Sequence, residues 1–145
     1  MRVILQRVSY ASCTVDDKVT GKCDNGYMLL VGYTHTDTIE TNKKMAKKIA
    51  NLRVFEDENG KMNLNLSQVN GNILSISQFT LYANTQEGNR PSFCDAMNPT
   101  LAKELYLEFN NELRELGFHV EEGTFGASME IRLLNDGPVT ISLEF

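Results

Sequence analysis

Short apolar runs with the character of β-strands open the chain. Arg2 to Val8 and Ala11 to Val15 read as a bent strand or a strand pair, and Tyr27 to Tyr33 is an apolar run bounded by glycines. A longer run, Asn72 to Tyr82, also has strand character, although polar residues interrupt its second half. The pattern therefore predicts that the chain begins with β-structure and returns to it near its middle.

Two segments carry the periodicity of amphipathic helices. The first follows Asp37, with Glu40 three residues on, which is the signature of a capping box. Apolar residues then recur close to helical spacing and predict a helix over Thr38 to Leu52. The second begins at Asn98-Pro99, with asparagine as N-cap and proline as first helical residue. Its apolar face extends from Leu101 to Leu116, and Gly117 lies just past its end.

Shorter strand signals and one long connection complete the pattern. Val54-Phe55 is a short strand candidate, and Phe118 to Glu122, Met129 to Leu134 and Val139 to Phe145 read as three closing strands. Residues 83–98 show little periodicity, and a connection of that length is typical of a functional loop. The predicted order is β-β-α-β-β-α-β-β-β, an α/β fold with two amphipathic helices packed on a curved, mixed, barrel-like sheet.

Length and composition are those of one compact domain. The chain has 145 residues, of which 41% are hydrophobic and 23% charged, so we expect a single domain over residues 1–145. Its apolar runs are far too short to span a bilayer, and Met1-Arg2-Val3 leads into a strand rather than a signal peptide. We expect a cytoplasmic protein without a membrane segment.

The cysteines and histidines do not indicate a metal site or a disulfide framework. Cys13, Cys23 and Cys94 are odd in number, lie far apart and form no CxxC pair. His35 and His119 are distant from each other and lack the spacing of a metal-binding motif. We therefore expect reduced thiols and neither a metal nor another cofactor.

The charge of the chain excludes nucleic-acid binding by broad phosphate neutralisation. The formal net charge is −5, so any contact with RNA must be local. The best local candidate is a group of four lysines at helical spacing: Lys43, Lys44, Lys47 and Lys48. A solvated helix face that aids solubility also explains these lysines, and sequence alone favours that interpretation.

Two segments interrupt apolar runs with polar or backbone-exposing residues. Ser77-Gln78-Phe79-Thr80-Leu81 places a serine, an amide and a threonine inside a strand-like run, and Asn135 to Thr140 bends the chain at a Gly-Pro step before the last strand. Taken alone, the first is typical of a strand with one polar face and the second of a tight turn. Their meaning depends on the rest of the chain.

The two segments belong to an ordered set of motifs that runs nearly from end to end. The set consists of Gln6-Arg7-Val8, Lys61 to Asn65, Ser77 to Leu81, Arg90 to Phe93, Gly123 to Ala127 and Asn135 to Thr140. In this set the chain resembles the D-aminoacyl-tRNA deacylases. The resemblance implies a homodimeric, cofactor-free hydrolase that acts on the acceptor end of tRNA charged with a D-amino acid or, mistakenly, with glycine. The competing class is a non-catalytic, dimeric nucleic-acid-binding module of the same fold.

The resemblance gives Gly137-Pro138 the role of chiral selector. In the family this step is cis, reaches into the active site of the partner subunit and holds the substrate's α-amino group through main-chain oxygens. A D-residue or glycine presents only hydrogen where an L side chain would strike the main chain, so selection works by rejection.

For catalysis, the resemblance points to Ser77, Gln78, Phe79 and Thr80, and two mechanisms stay open. In one, Thr80 is a nucleophile, which requires an adjacent base that the sequence does not supply. In the other, amides around Phe79 and Thr80 polarise the ester carbonyl, a ribose hydroxyl of the RNA positions water, and Ser77 and Gln78 support the geometry. We favour the second.

Three further residues are candidates for substrate binding. Phe125, between glycines, and Met129 are expected at the terminal adenosine, although a core role for Phe125 is equally consistent with the sequence. Arg90 is expected to contact phosphate or to pair with a carboxylate across the dimer interface.

Overall fold

A single long strand organises the fold. The computed structural model describes all residues from Met1 to Phe145, and its first strand, β1 (Arg2–Val15), pairs antiparallel with three others. These are β2 (Lys18–Cys23), β3 (Gly26–Gly32) and β8 (Glu130–Glu144). Over its first half β1 alternates buried and partly exposed residues, so one face of the strand packs on a core while its backbone pairs with a neighbouring strand on each side.

The sheet continues in parallel and curls almost into a barrel. β3 pairs parallel with β6 (Asn72–Ser77), which pairs parallel with β7 (Val120–Glu122). The edge strand β2 then approaches β7, where the Lys22 amide donates to Glu121 Oε2 at 2.7 Å. Parallel neighbours require long crossovers, and these crossovers carry the two helices.

Both helices cover one side of the sheet. α1 (Ile39–Asn51) and α2 (Pro99–Glu115) pack against each other and bury their apolar faces in the larger core cluster. A small antiparallel hairpin of β4 (Arg53–Glu56) and β5 (Met62–Asn65) follows α1. A second cluster lies on the other face of the sheet, because neighbouring residues of β6 alternate sides: Ile73 joins the first cluster and Leu74 the second.

The α/β class, the curved mixed sheet and the two helices confirm the prediction. The observed order is β-β-β-α-β-β-β-α-β-β. Asn98 is the N-cap of α2 as expected, its side chain accepting from the Thr100 amide at 2.9 Å. Two strands are additional to the prediction: the short β5, and β2, whose polar sequence lacks an apolar alternation because it is an exposed edge.

Three predicted boundaries are wrong. The strand expected over Asn72 to Tyr82 ends at Ser77, and a 3-10 helix, Phe79–Tyr82, follows it. The two strands expected at the end of the chain are one strand, β8, because pairing with β1 resumes on both sides of the Gly-Pro step. The cap of α1 is Thr38 rather than Asp37, since the Asp37 carboxylate instead accepts from the Met1 ammonium and the Thr34 amide.

The structure contains no helix that is long and apolar enough to cross a membrane.

Candidate active site

A cavity of about 600 Å³ opens where the parallel strands β3 and β6 end. The 3-10 helix, the first turn of α2 and the segment from Phe125 to Ile131 complete its wall. Twelve of its 18 lining residues are hydrophobic, and its polar side chains are few: Tyr33, Ser77, Gln78 and Asn98. An apolar cavity with a few convergent polar groups is the usual form of a site for a small organic group.

The cavity contains no side chain suited to acid–base catalysis near neutral pH. Tyr33 is its one titratable lining residue, and burial, with the nearby charge of Asp37, raises the pKa of its hydroxyl well above the ordinary value. That hydroxyl lies within hydrogen-bonding distance of Asn42 Oδ1 (2.9 Å) and the Leu105 carbonyl oxygen (3.1 Å). It therefore stays neutral and acts as a structural link between β3, α1 and α2.

Residues 77 to 79 form one side of the cavity. The Gln78 amide donates to the Val31 carbonyl at 2.7 Å, which closes the β3–β6 ladder, and the chain then turns into the 3-10 helix. Gly32 permits this turn, because a Cβ at position 32 would lie 2.8 Å from the Gln78 carbonyl oxygen. The close approach of two backbones is therefore built into the site.

Two backbone amides at this turn are left without partners. The first N–H groups of a helix have no carbonyl to bind within it. Leu81 donates to the Gln78 carbonyl at 3.3 Å, whereas the amides of Phe79 and Thr80 make none of the main-chain hydrogen bonds that join turns and loops. Adjacent free amides of this kind can stabilise a developing oxyanion.

Thr80 has no base beside it. Its hydroxyl accepts a hydrogen bond from the Gln78 side-chain amide, a group that cannot take up a proton. The residue is exposed and lies outside the cavity lining, whereas Ser77, Gln78 and Phe79 line it. The predicted catalytic segment is thus brought to the cavity, with Thr80 at its margin.

Phe125 and Met129 both lie in the cavity wall, as expected. The Phe125 ring packs against Tyr106 with 5.8 Å between centroids, so it is supported from the core and only partly buried. A side chain at Gly123 would approach the Met129 sulfur to 2.6 Å, so glycine there leaves room for the methionine. Phe125 therefore both packs against the core and lines the cavity.

Gly137 and Pro138 do not line the cavity of their own chain. Their peptide bond is cis, and both residues are exposed on β8. Four residues of β8, 136 to 139, face the single β1 residue Arg7 between the pairs Val8–Asn135 and Gln6–Thr140. The segment therefore bulges out of the sheet.

Buried Arg7 holds this bulge. Its guanidinium donates to the Asp136 carbonyl at 3.0 Å and to the Val54 carbonyl at 2.7 Å, and only 4% of the residue is exposed. From the other side, Asn135 Oδ1 accepts from the Val139 amide at 3.2 Å, and its Nδ2 donates to Thr140 Oγ1 at 2.8 Å. The segment is consequently a rigid, outward-facing feature.

Sequence reasoning missed the role of Arg7 and the position of Phe93. Phe93 lines the cavity and meets Phe79 edge to face, with ring centroids 5.0 Å apart. The sequence feature that could have indicated Phe93 is that it is the only aromatic residue in the loop of residues 83–98. Arg90, three residues earlier, is exposed, lies outside the cavity lining and makes no hydrogen bond or ion pair within the chain.

The loop that carries Phe93 is fixed to the end of β3. Thr34 Oγ1 donates to the Asp95 carbonyl at 2.7 Å, and the His35 ring lies 2.7 Å from the Cys94 carbonyl oxygen. The Met97 amide donates to the Tyr33 carbonyl at 3.0 Å. These contacts hold the end of the predicted functional loop against the cavity.

Comparisons with known proteins agree on one family. The sequence model described as D-Tyr-tRNA(Tyr) deacylase matches residues 4–144. A Lactobacillus gasseri protein named D-aminoacyl-tRNA deacylase is 57% identical over 144 residues, covering 99% of both chains. A protein of the same name from Exiguobacterium sibiricum is 56% identical with the same coverage.

Solved structures share the whole fold. A structure named c-Myc DNA Unwinding Element Binding Protein has a TM-score of 0.94 and 39% identity, covering 100% of this chain and 99% of the other. A structure described as a probable eukaryotic D-amino acid tRNA deacylase has a TM-score of 0.84 at 18% identity, covering 98% and 97%, and is similar in fold.

Proposed function

The chain belongs to the D-Tyr-tRNA(Tyr) deacylase family, whose members are hydrolases, and on this premise we propose that it hydrolyses D-aminoacyl-tRNA. Water adds to the ester carbonyl, the bond from the carbonyl carbon to the ribose oxygen breaks, and that oxygen takes a proton. The products are the free D-amino acid and tRNA. Since aminoacyl-tRNA is a cytoplasmic substrate, the proposal places the enzyme in the cytoplasm.

The observation that carries the mechanism is a cavity that has no acid–base side chain and is bordered by the turn whose Phe79 and Thr80 amides lack main-chain partners. The Phe79 and Thr80 N–H groups supply donors for the carbonyl oxygen as it becomes negative, which is the charge that most needs stabilisation. A hydroxyl of the terminal ribose orients the attacking water, so the RNA takes part in its own hydrolysis. Ser77 and Gln78 support the main chain, and no cofactor takes part.

The alternative mechanism, with Thr80 as nucleophile, fits the geometry less well. An alcohol becomes nucleophilic when a neighbouring base accepts its proton, whereas the partner of Thr80 is the donating amide of Gln78. Its position outside the cavity lining also favours a supporting role.

Phe125 and Met129 are proposed to hold the terminal adenosine. Phe125 presents a partly exposed ring that Tyr106 supports, a suitable platform for stacking against a base. Arg90 is exposed and free of partners, so in this proposal it contacts a phosphate or a carboxylate of a second subunit.

Chiral selection is proposed to come from a second copy of the chain. Gly137 and Pro138 face solvent on a segment that Arg7 makes rigid, and they do not reach their own cavity. In a homodimer the segment enters the partner's cavity, where its main-chain oxygens hold the α-amino group and leave no space for an L side chain. Glycine is not rejected at this position, so tRNA mischarged with glycine is also a substrate.

A deacylation assay tests the activity. Tyrosyl-tRNA carrying the D- or the L-amino acid is incubated with the protein, and release of the amino acid is followed. We expect loss of the D-ester alone. Binding of tRNA without loss of either ester would instead identify a nucleic-acid-binding module. The structure with 39% identity is named as a protein of that class.

Subunit mixing tests the shared site. Gly32→Ala disables the cavity by displacing the Gln78 main chain, and Gly137→Ala disables the selector, so each homodimer should be nearly inactive. After random exchange, half of the dimers are mixed and each has one intact site, which predicts recovery of about a quarter of wild-type activity. If mixing restores nothing while the dimers exchange, the selector acts within its own chain.

A further inference from the structure

The outer face of α1 is a strip of unpaired positive charge. Its four lysines, Lys43, Lys44, Lys47 and Lys48, are all exposed. The opposite face of the helix is buried in the core through Met45, Ala46 and Ile49. No lysine of the chain takes part in any of its ion pairs.

This strip is unusual within an acidic protein. Four of the chain's fourteen basic residues lie within six positions, although the formal net charge is −5. Three arginines, in contrast, are already neutralised: Arg2 by Glu144, Arg7 by Asp136 and Glu56, and Arg114 by Glu122. The lysine strip is therefore a local surface on which a polyanion is attracted rather than repelled.

The strip begins close to the cavity. Met97 lines both the cavity and a neighbouring groove that the first residues of α1 border, Thr38 and Ile39 among them. With a rise of about 1.5 Å per residue, the lysines lie roughly 6 to 14 Å along the helix axis from Ile39. A ligand anchored in the cavity can therefore extend to the lysines.

The groove itself is negatively charged, which limits the path that the RNA can take from the cavity to the lysines. Asp37, Glu40, Glu104 and Glu108 border it, so an anionic chain is repelled from the space between the helices. The outward-facing lysines lie beyond these acids.

We propose that the lysine strip of α1 binds the sugar-phosphate backbone of the tRNA acceptor stem while the terminal adenosine occupies the cavity. This proposal rests on the proposed function. The strip carries no sequence information, because lysine ammonium groups contact phosphates irrespective of the bases. It raises the affinity for every tRNA alike.

The test compares two variants of equal charge. In one, glutamine replaces the four lysines of the strip; in the control, glutamine replaces Lys18, Lys22, Lys61 and Lys103, which are also exposed. Each protein is assayed for kcat/KM on D-tyrosyl-tRNA and on D-tyrosyl-adenosine between 50 and 200 mM salt, and binding of uncharged tRNA is measured in parallel. Elution volume shows whether the oligomeric state is retained.

Each phosphate contact contributes about 0.7–0.9 to the slope of log affinity against log salt, so four contacts imply a roughly 50- to 150-fold loss over this salt range for wild type. The strip variant should lose at least tenfold in tRNA affinity at low salt and most of the slope, while D-tyrosyl-adenosine is cleaved as before. The control should match wild type.

An unchanged salt slope in the strip variant, equal losses in both variants, or equal loss on both substrates would each overturn the proposal. If wild type cleaves neither ester, the proposed function fails, and binding of uncharged tRNA still decides whether the strip contacts RNA.

Discussion

Replacing Thr80 by alanine removes one hydroxyl, and the structure sets the size of the expected loss. That hydroxyl has one partner, the Gln78 side-chain amide, and lies outside the cavity lining. A hydrogen bond between neutral groups contributes about 0.5–1.5 kcal/mol. If its whole effect falls on the transition state, the rate decreases by roughly 2- to 13-fold. A true nucleophile would cost several orders of magnitude, because the covalent route would close entirely.

The assay is single-turnover release of D-tyrosine from D-tyrosyl-tRNA, with the enzyme in excess so that chemistry rather than product release is observed. Denaturing quench of wild type with a labelled amino acid should recover no label on the protein. Thr80→Ser, which retains the hydroxyl, should remain close to wild type. A loss of a thousandfold or more in Thr80→Ala with intact tRNA binding, or a labelled acyl-protein, would refute catalysis by the main chain.

Three further predictions address the same site. Because Tyr33 stays neutral and no other cavity residue titrates, the only inflection of the enzymatic rate between about pH 5 and 8 should be that of the substrate's own α-amino group; a second inflection, giving a bell-shaped profile, would contradict this. Gly32→Ala places a Cβ 2.8 Å from the Gln78 carbonyl, so kcat should fall by about tenfold or more while uncharged tRNA binds normally; an unchanged kcat would show that the turn is not critical. Arg7→Met removes two charge-assisted hydrogen bonds and should lower the free energy of unfolding in urea by about 3 kcal/mol, whereas the exposed Arg132→Met should change it little; equal effects would contradict the assigned role of Arg7.

Periodicity and capping rules could predict the helices because those signals are local. Asn98 and Pro99 fix the start of α2 through their own chemistry, irrespective of what packs nearby. The cap of α1 could not be predicted in the same way. Asp37 has the better capping side chain, but the folded chain brings Met1 to it from 36 residues away, and Thr38 takes its place.

The same distinction separates the predicted from the unpredicted parts of the site. The motif segments could be selected from the sequence because their polar residues interrupt apolar runs. The turn that follows Ser77 at the end of β6 depends on Gly32 of β3. The bulge of residues 136 to 139 depends on Arg7 of β1. Such contacts between distant parts of the chain have no local signature.

In both motif segments the side-chain amide is bound to the segment itself rather than presented to a substrate. Gln78 donates to Thr80, and Asn135 binds the Val139 amide and the Thr140 hydroxyl. Each segment also presents main-chain groups: the amides of Phe79 and Thr80 in the first, and the outward bulge at Gly137 in the second. Main-chain groups cannot be altered by changing a side chain, so side-chain truncations within the motifs should weaken the enzyme by factors near ten, as for Thr80. Substitutions that move the backbone, as at Gly32 or Gly137, should be more damaging although they remove no functional group. An enzyme that selects by backbone shape is therefore sensitive at its glycines and tolerant at its hydroxyls.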